Sequence, residues 1–227
     1  MTHDQLRQDA FRALLHTQRV WDAGTAGLPG FAPAAAPASP LPLFHQWFTE
    51  AVAAGQPEPH TMALATVDGE GAPDLRTVML HDADADGWHF GTHSTSAKGR
   101  QLAANPAAAL AFYWHTQGRQ IRVRGTVTAA GADASRADLR VRSAGALAAA
   151  LTGRQSEPLS SAEALARASE AAWERARDEP DAPVPSWTLY VLAPREVEFF
   201  QGDAQRRHIR LRYRRTESGW ARGLLWP

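Results

Sequence analysis

Apolar positions along the chain fall first at helical spacing and then at strand spacing. Leu6, Phe11, Leu14 and Leu15 predict a short helix over residues 5–20. A stretch rich in Ala, Pro and Gly follows from Gly24 to Pro42, and it includes Ala32-Pro-Ala-Ala-Ala-Pro-Ala-Ser-Pro40. It is expected to hold no regular element and to be mobile. Leu43, Phe44, Trp47, Phe48 and Val52 then predict an amphipathic helix over 43–54. The chain therefore divides into a mobile N-terminal segment and linker, 1–42, and a folded domain, 43–227.

Beyond residue 60 the period shortens to that of a strand. Met62–Val67 and Leu75–Leu80 are expected strands with a hairpin turn marked by Asp68-Gly69. A loop with Asp86-Gly87 leads to Trp88–Thr92. Ser96 to Ala104 predicts a helix that Asn105-Pro106 ends. Ala109–Trp114 and Gln120–Ala129 are two more strands. Asp133–Leu151 and Ser160–Arg177 are expected helices, and a turn from Pro180 to Pro185 follows. Strands at Trp187–Leu192, Val197–Gln201, His208–Tyr213 and Trp220–Trp226 close the pattern. Hairpin-joined strands with helices gathered in two places imply an antiparallel α+β fold or β-barrel.

Composition narrows the function classes. The 227 residues contain 24 Lys+Arg and 24 Asp+Glu, so the net charge is zero, which argues against a dedicated nucleic-acid binder. With no cysteine, disulfides, iron–sulfur clusters and thiolate zinc sites are excluded. The nine histidines show no metal-ligand spacing, so no metal is expected. No signal-peptide pattern opens the chain, and no apolar run approaches the roughly 18 residues of a membrane span. A cytoplasmic protein with no membrane partner is the default expectation. Gly-x-Gly-x-x-Gly, the P-loop and Gly-x-Ser-x-Gly are all missing from the sequence, so any nucleotide is held in another way.

The candidate chemistry is anion binding. Gln205 to Arg215, read at strand period, puts Arg206, His208, Arg210, Arg212 and Arg214 on one face. Ser96 is placed as a helix N-cap, with the Lys98 and Gly99 amides in the first turn, an arrangement suited to phosphate. Arg76 sits in a strand among apolar residues, and Gln120, Arg122 and Arg124 share a face of another. Gln155 and Ser156 lie in a polar loop. One common anion would account for Arg76, Lys98, Gln155, Ser156 and Arg210 together. A solvated cationic edge strand is the plain alternative for 206–215. Most tryptophans and phenylalanines read as core, although Trp114 and Phe200, at strand ends, are placed to border a flat ligand.

These motifs, in this order, resemble the pyridoxine/pyridoxamine 5'-phosphate oxidases. The matching stretches are Ala63-Leu-Ala-Thr-Val-Asp68, Arg76-Thr-Val-Met-Leu80, Ser96-Ala-Lys98-Gly, Asn105-Pro, Tyr113-Trp-His115, Gly118-Arg-Gln120, Gln155-Ser156, Val197-Glu-Phe-Phe-Gln-Gly202, Arg206-Arg-His208-Ile-Arg210 and Leu225-Trp-Pro227. They span about residues 43–227. The resemblance implies an FMN-binding split β-barrel that forms a homodimer with FMN at the subunit interface. It implies FMN contacts from Arg76, Thr77, Val78, Met79, Leu80, His81, Gly91, Thr92, Lys98, Gln120, Gln155, Ser156, Phe200 and Arg210, with Arg76, Lys98 and Ser156 nearest the phosphate. It further implies catalytic roles for Arg206 and His208, and substrate contacts from His81, Arg142, Arg206 and His208. The implied reaction moves a hydride from a small aromatic substrate to flavin N5, and O2 reoxidises the flavin to give H2O2.

The chain also departs from the family. His81 stands where the family has Lys, Asp138 where it has Tyr, and Ala146 where it has Ser, all three being contacts to substrate phosphate. Ala97 replaces an Arg and Phe200 a Trp, and the N-terminal Arg-Arg-x-Tyr segment is not evident. Thr92 to Arg100 also resembles the phenazine-biosynthesis flavin oxidases, which act on a larger ring. A flavin-binding protein without oxidase activity is a third reading, against which the Arg206/His208 pair argues.

Overall fold

The computed structural model describes residues 2–18 and 27–227. Helix α1, His3–Thr17, opens on a reciprocal capping box between Thr2 and Gln5, yet buries none of its residues. Positions 19–20 of the expected helix and the first residues of the expected linker lie outside the described residues.

The Ala/Pro-rich stretch departs from the expectation of no regular element. Pro33–Ala35 form a 3-10 turn, and helix α2 begins at Pro40 rather than Leu43 and runs to Ala53. A proline at the first helical position loses no hydrogen bond, so Pro40 starts the helix rather than barring it. The stretch is also tied to the barrel. The Tyr213 hydroxyl donates to Pro37 O at 2.8 Å, and Arg222 donates to Ala36 O.

The sheet is antiparallel throughout and curls on itself. Its strands are β1 (Thr61–Val67), β2 (Pro73–Met79), β3 (Asp82–Ala83), β4 (Trp88–His93), β5 (Ala107–Trp114), β6 (Arg119–Ala129), β7 (Trp187–Gln201), β8 (Ile209–Thr216) and β9 (Gly219–Leu225). They lie in the order β2-β1-β5-β6-β7-β4-β3, with β8 and β9 branching from β7. The remaining helices are α3 (Ala97–Ala104), α4 (Ala132–Arg140), α5 (Ala144–Thr152) and α6 (Ala162–Asp178). The expected α+β class, an antiparallel split barrel with flanking helices, is the fold the chain forms. No described helix is long and apolar enough to cross a membrane.

Strand β7 holds the barrel together. Its first residues, Trp187–Leu192, pair with β4, its end, Glu196–Gln201, with β8, and Tyr190–Gln201 with β6. The sequence pattern predicts two strands here, Trp187–Leu192 and Val197–Gln201. Instead the register shifts once, between Arg124 and Gly125 of β6, and Pro194 falls opposite Gly125 at that bulge. A bulge needs no ladder donor from proline, so one strand continues through it. Gly125 is required there, since a Cβ would lie 2.0 Å from Ala193 O. The expected helix over 133–151 is likewise two helices. Ser143 caps α5 by accepting from Ala146 N, and that cap ends α4 just upstream.

The core lies inside the curl. Phe44 and Trp47 of α2 pack on Trp88, Phe112, Trp114 and Phe199, with ring centroids 5.2–6.3 Å apart. Trp114 is thus core, with its N–H on Pro59 O at 3.0 Å, and does not border a ligand. A smaller cluster of Leu139, Leu147, Ala148, Ala150 and Ala176 joins α4, α5 and α6, with Trp187 packed at its edge.

Candidate functional site

A cavity of about 590 Å³ opens between β2, β4, the start of α3, α5 and the loop at 155–156. Its cationic end is built from local structure. Ser96 caps α3 as expected, accepting from Gly99 N at 3.2 Å. The helix therefore presents its first turn, with Ala97 and Lys98, to the cavity. Lys98 is buried, and its ammonium donates to Gln155 Oε1 at 2.9 Å and Thr92 Oγ1 at 3.3 Å. Burial, and after it the positive charge of Arg76, lower its pKa. Arg76 in turn donates to Thr66, Gln101 and Asp74. Ala97 N donates to Ser156 Oγ at 3.1 Å, which brings Ser156 to the same end. Ser156 has φ of +74°, one of three non-glycine residues with positive φ among those described, and Arg206 at +65° is another. An L-residue tolerates this conformation only where its surroundings impose it.

His81 and Trp187 form another part of the cavity wall. Their rings are nearly parallel, at 17° and 6.4 Å, and both press on Gly91. A Cβ on Gly91 would lie 2.5 Å from Trp187 and 2.6 Å from His81, so only glycine lets them sit there. Behind them lies Asp138. Its Oδ1 meets His81 Nδ1 at 2.9 Å and accepts from Arg142 at 2.5 Å, while Oδ2 accepts from Trp187 Nε1 at 3.0 Å.

Burial alone would raise Asp138. Hydrogen bonds from His81 and Arg142, the His81 charge and the Trp187 N–H outweigh it and hold the carboxyl at about 2. A depressed carboxyl pKa stabilises the fold above its ordinary value of 3.8, and that stability is lost as pH falls through the folded-state value. Relative to Asp138→Asn, the protein should therefore lose about 2 kcal/mol of unfolding free energy between pH 5 and pH 2. Urea titrations at several pH values measure this, and a pH-independent difference would contradict the assignment.

A second cavity, of about 230 Å³, is lined by Gln120, Arg122, Glu198, Phe200, Arg210 and Pro227, and shares no residue with the first. Here the cationic face expected of 206–215 is changed in two ways. Strand β8 begins only at Ile209, so Arg206 and His208 stand in the loop before it rather than on its face. The reason is Asp203, whose carbonyl accepts from Arg206 N and whose carboxylate accepts from Gln205 N and Arg207 N, closing a turn. The arginines that do lie on the strand meet glutamates of β7. Glu198 takes Arg122 and Arg210, and Glu196 takes Arg124 and Arg212. Nor is β8 an edge, since it lies between β7 and β9.

His208 packs against Phe200, with centroids 5.2 Å apart. Its Nδ1 accepts from Asp203 N at 3.1 Å, so in the neutral ring the proton is on Nε2.

Within one chain, Arg76, Thr77, Val78, Met79, His81, Gly91, Thr92, Lys98, Gln155 and Ser156 converge on the first cavity. Gln120, Phe200 and Arg210 converge on the second, so Arg210 does not join the other anion ligands as a single common site requires. Leu80 packs on the core and lines neither cavity. Arg142 lines neither as well. Trp187 was missed, because a tryptophan after a Pro-rich turn reads as core until its N–H partner is known. Ala146, noted above, lines the wall, while Ala149 and Ala150 carry no chemical signal and enter it only because α5 presents that face.

Comparison with known proteins gives a consistent set of matches. Residues 48–176 match the family model described as pyridoxamine 5'-phosphate oxidase. Residues 187–227 match the pyridoxine 5'-phosphate oxidase C-terminal dimerisation region. A pyridoxine/pyridoxamine 5'-phosphate oxidase of Pseudomonas fluorescens (strain SBW25) is 43% identical over 201 residues, covering 87% of this chain and 93% of the relative. One from Bordetella petrii is 43% identical over 195 residues, covering 85% and 91%. Among solved structures, PhzG from Burkholderia lata 383 in complex with tetrahydrophenazine-1-carboxylic acid is similar with a TM-score of 0.82. It is 30% identical, with 90% of this chain and 100% of that one covered.

Proposed function

The chain belongs to the pyridoxamine 5'-phosphate oxidase family of FMN-dependent oxidoreductases, and we propose that its two cavities are the halves of one flavin site, completed by pairing two copies. The observation that carries this is the cationic end of the first cavity. A buried lysine, an arginine, a serine and the first turn of a helix there suit one phosphomonoester joined to a larger group. The donor set therefore fits FMN. A matched C-terminal dimerisation region supports the pairing, and β7 supports it too. Trp187 faces the first cavity and Phe200 the second, at opposite ends of that strand and separated by on the order of 40 Å of contour. A single copy does not close both halves on one ligand.

In this reading Arg76, Lys98 and Ser156 hold the phosphate, while Thr77 to Met79, Gly91, Thr92 and Gln155 flank the remainder. Gln120, Phe200 and Arg210 come from the second copy. When bound, FMN supplies the redox chemistry, accepting a hydride from substrate at N5 and passing the electrons to O2 as H2O2. The protein orients the donor and excludes water. Arg206 supplies a planar cation to the substrate, and His208, protonated on Nε2, donates a hydrogen bond or returns a proton from that atom.

Anaerobic addition of pyridoxamine, pyridoxine, their 5'-phosphates and a dihydrophenazine carboxylate to the FMN-loaded protein tests the proposal. Bleaching of the flavin absorption by at least one of them is expected. A chain that binds no FMN would sink the reading. A tricyclic substrate is the second reading, favoured by Ala146, Ala149 and Ala150, whose small side chains widen the wall that α5 turns to the cavity.

A further inference from the structure

The first cavity has two chemically different parts of its lining, and only one is suited to an anion. Beside the cationic group of Arg76 and Lys98, the wall is lined by His81 and Trp187. Arg142, the guanidinium nearest that wall in the network, does not reach the cavity, because it is turned onto Asp138 behind the wall. Asp138 receives three donors and its side chain is only 6% exposed, as is 5% of that of His81. Arg142 and Asp138 are engaged with each other behind the rings, so apart from the imidazole the group offers an entering ligand no cationic side chain. The geometry is also held firmly. Gly91 fixes both rings from one side and the Trp187 N–H bond fixes the indole from the other. A phosphate dianion placed here finds an indole, an imidazole already engaged, and a buried carboxylate behind them. That is an unfavourable seat, since burying a charge without a partner is costly and like charges repel.

We propose that the His81–Asp138–Arg142–Trp187 network is the specificity element of this site, selecting as electron donor an aromatic ring that carries no phosphomonoester. The inference rests on the flavin-oxidase reading and narrows its substrate class. The relatives named above have phosphorylated substrates in their names, and the proposal sets this chain's substrate apart from those.

The test uses FMN-loaded protein and two ligands that do not react, 4-deoxypyridoxine and its 5'-phosphate. Each is titrated by the perturbation it causes in the flavin absorption. For the wild type, the two dissociation constants should agree within about threefold, because the phosphate gains no charge-assisted hydrogen bond. In Asp138→Asn, which keeps the shape and frees Arg142, the phosphate ester alone should tighten, by about tenfold or more. A wild type that prefers the phosphate ester by about a hundredfold overturns the proposal, since that ratio requires a working phosphate seat. The wild-type ratio decides the matter even where Asp138→Asn does not fold. FMN content, read from the same spectra, separates the two ideas. Loss of flavin binding defeats the oxidase reading, whereas bound flavin with strong phosphate preference defeats only this inference.

Discussion

Arg206→Ala is expected to leave the protein yellow and to slow anaerobic flavin reduction by at least about a hundredfold, the scale of effect seen when a substrate loses its orientation. The substitution is unusually clean. Arginine and alanine both carry a Cβ, so each bears the same cost of the left-handed backbone at φ +65°. The turn that places residue 206 is set by Asp203 through backbone amides and through His208 Nδ1, none of which the substitution touches. What is removed is the guanidinium. FMN content measured by absorbance should stay at the wild-type level, because residue 206 lines neither cavity. Arg206→Lys, which keeps a charge but loses the planar fork, should recover part of the rate. Rates equal to wild type in stopped-flow reduction of the Ala variant would remove Arg206 from the mechanism.

Lys98→Met should weaken FMN binding by up to about a hundredfold, since a hydrogen bond to a charged group contributes about 1.5–3 kcal/mol. A second measurement moves in the opposite direction. In the FMN-free protein, Lys98 is a buried cation beside another cation, and its pKa is lowered by burial first and Arg76 second. Its ammonium hydrogen-bonds the neutral oxygens of Gln155 and Thr92, and the negative charge of Asp74 offsets burial and Arg76 only in part. Replacing it with methionine, a similar length without charge, should leave the melting temperature of the FMN-free protein unchanged or raise it. Stabilisation by added FMN should shrink at the same time, because ligand stabilisation follows the affinity. A lysine kept for structure alone would show the reverse, with a lower melting temperature in the FMN-free protein and an unaltered response to FMN.

The two variants differ in how far the sequence pointed to them. Lys98 was legible because its signal is local. A serine cap, a lysine two residues on and a closing Asn105-Pro106 define both the helix and what its first turn offers. The strands through β6, apart from the two-residue β3, were legible for a similar reason, since alternation shows directly in the burial of Arg119–Ala129. Features set by pairing were not. Whether arginines at 210 and 212 are free or matched depends on the register of β8 against β7, which puts Glu198 opposite Arg212 and Glu196 opposite Arg214. No local pattern contains that register. The turn at 203–208 was hidden by the alternating residues around it, and only the Asp203 hydrogen bonds show that the strand starts later. The continuity of β7 through Pro194 required knowing that a bulge stood opposite. Asp138 was visible as an odd residue, but its meaning came from His81, Arg142 and Trp187, which lie 57, 4 and 49 positions away.

Two cavities on one chain with no residue in common also bear on inheritance. In the paired site proposed above, each flavin draws one half from each copy, so a lesion at Lys98 and a lesion at Arg210 damage different halves. Two defective chains, one carrying each change, can pair so that both lesions fall in one site and the other site is whole. Alleles that are each inactive alone then rescue each other. The unit on which selection acts is accordingly the pair of subunits rather than the single polypeptide.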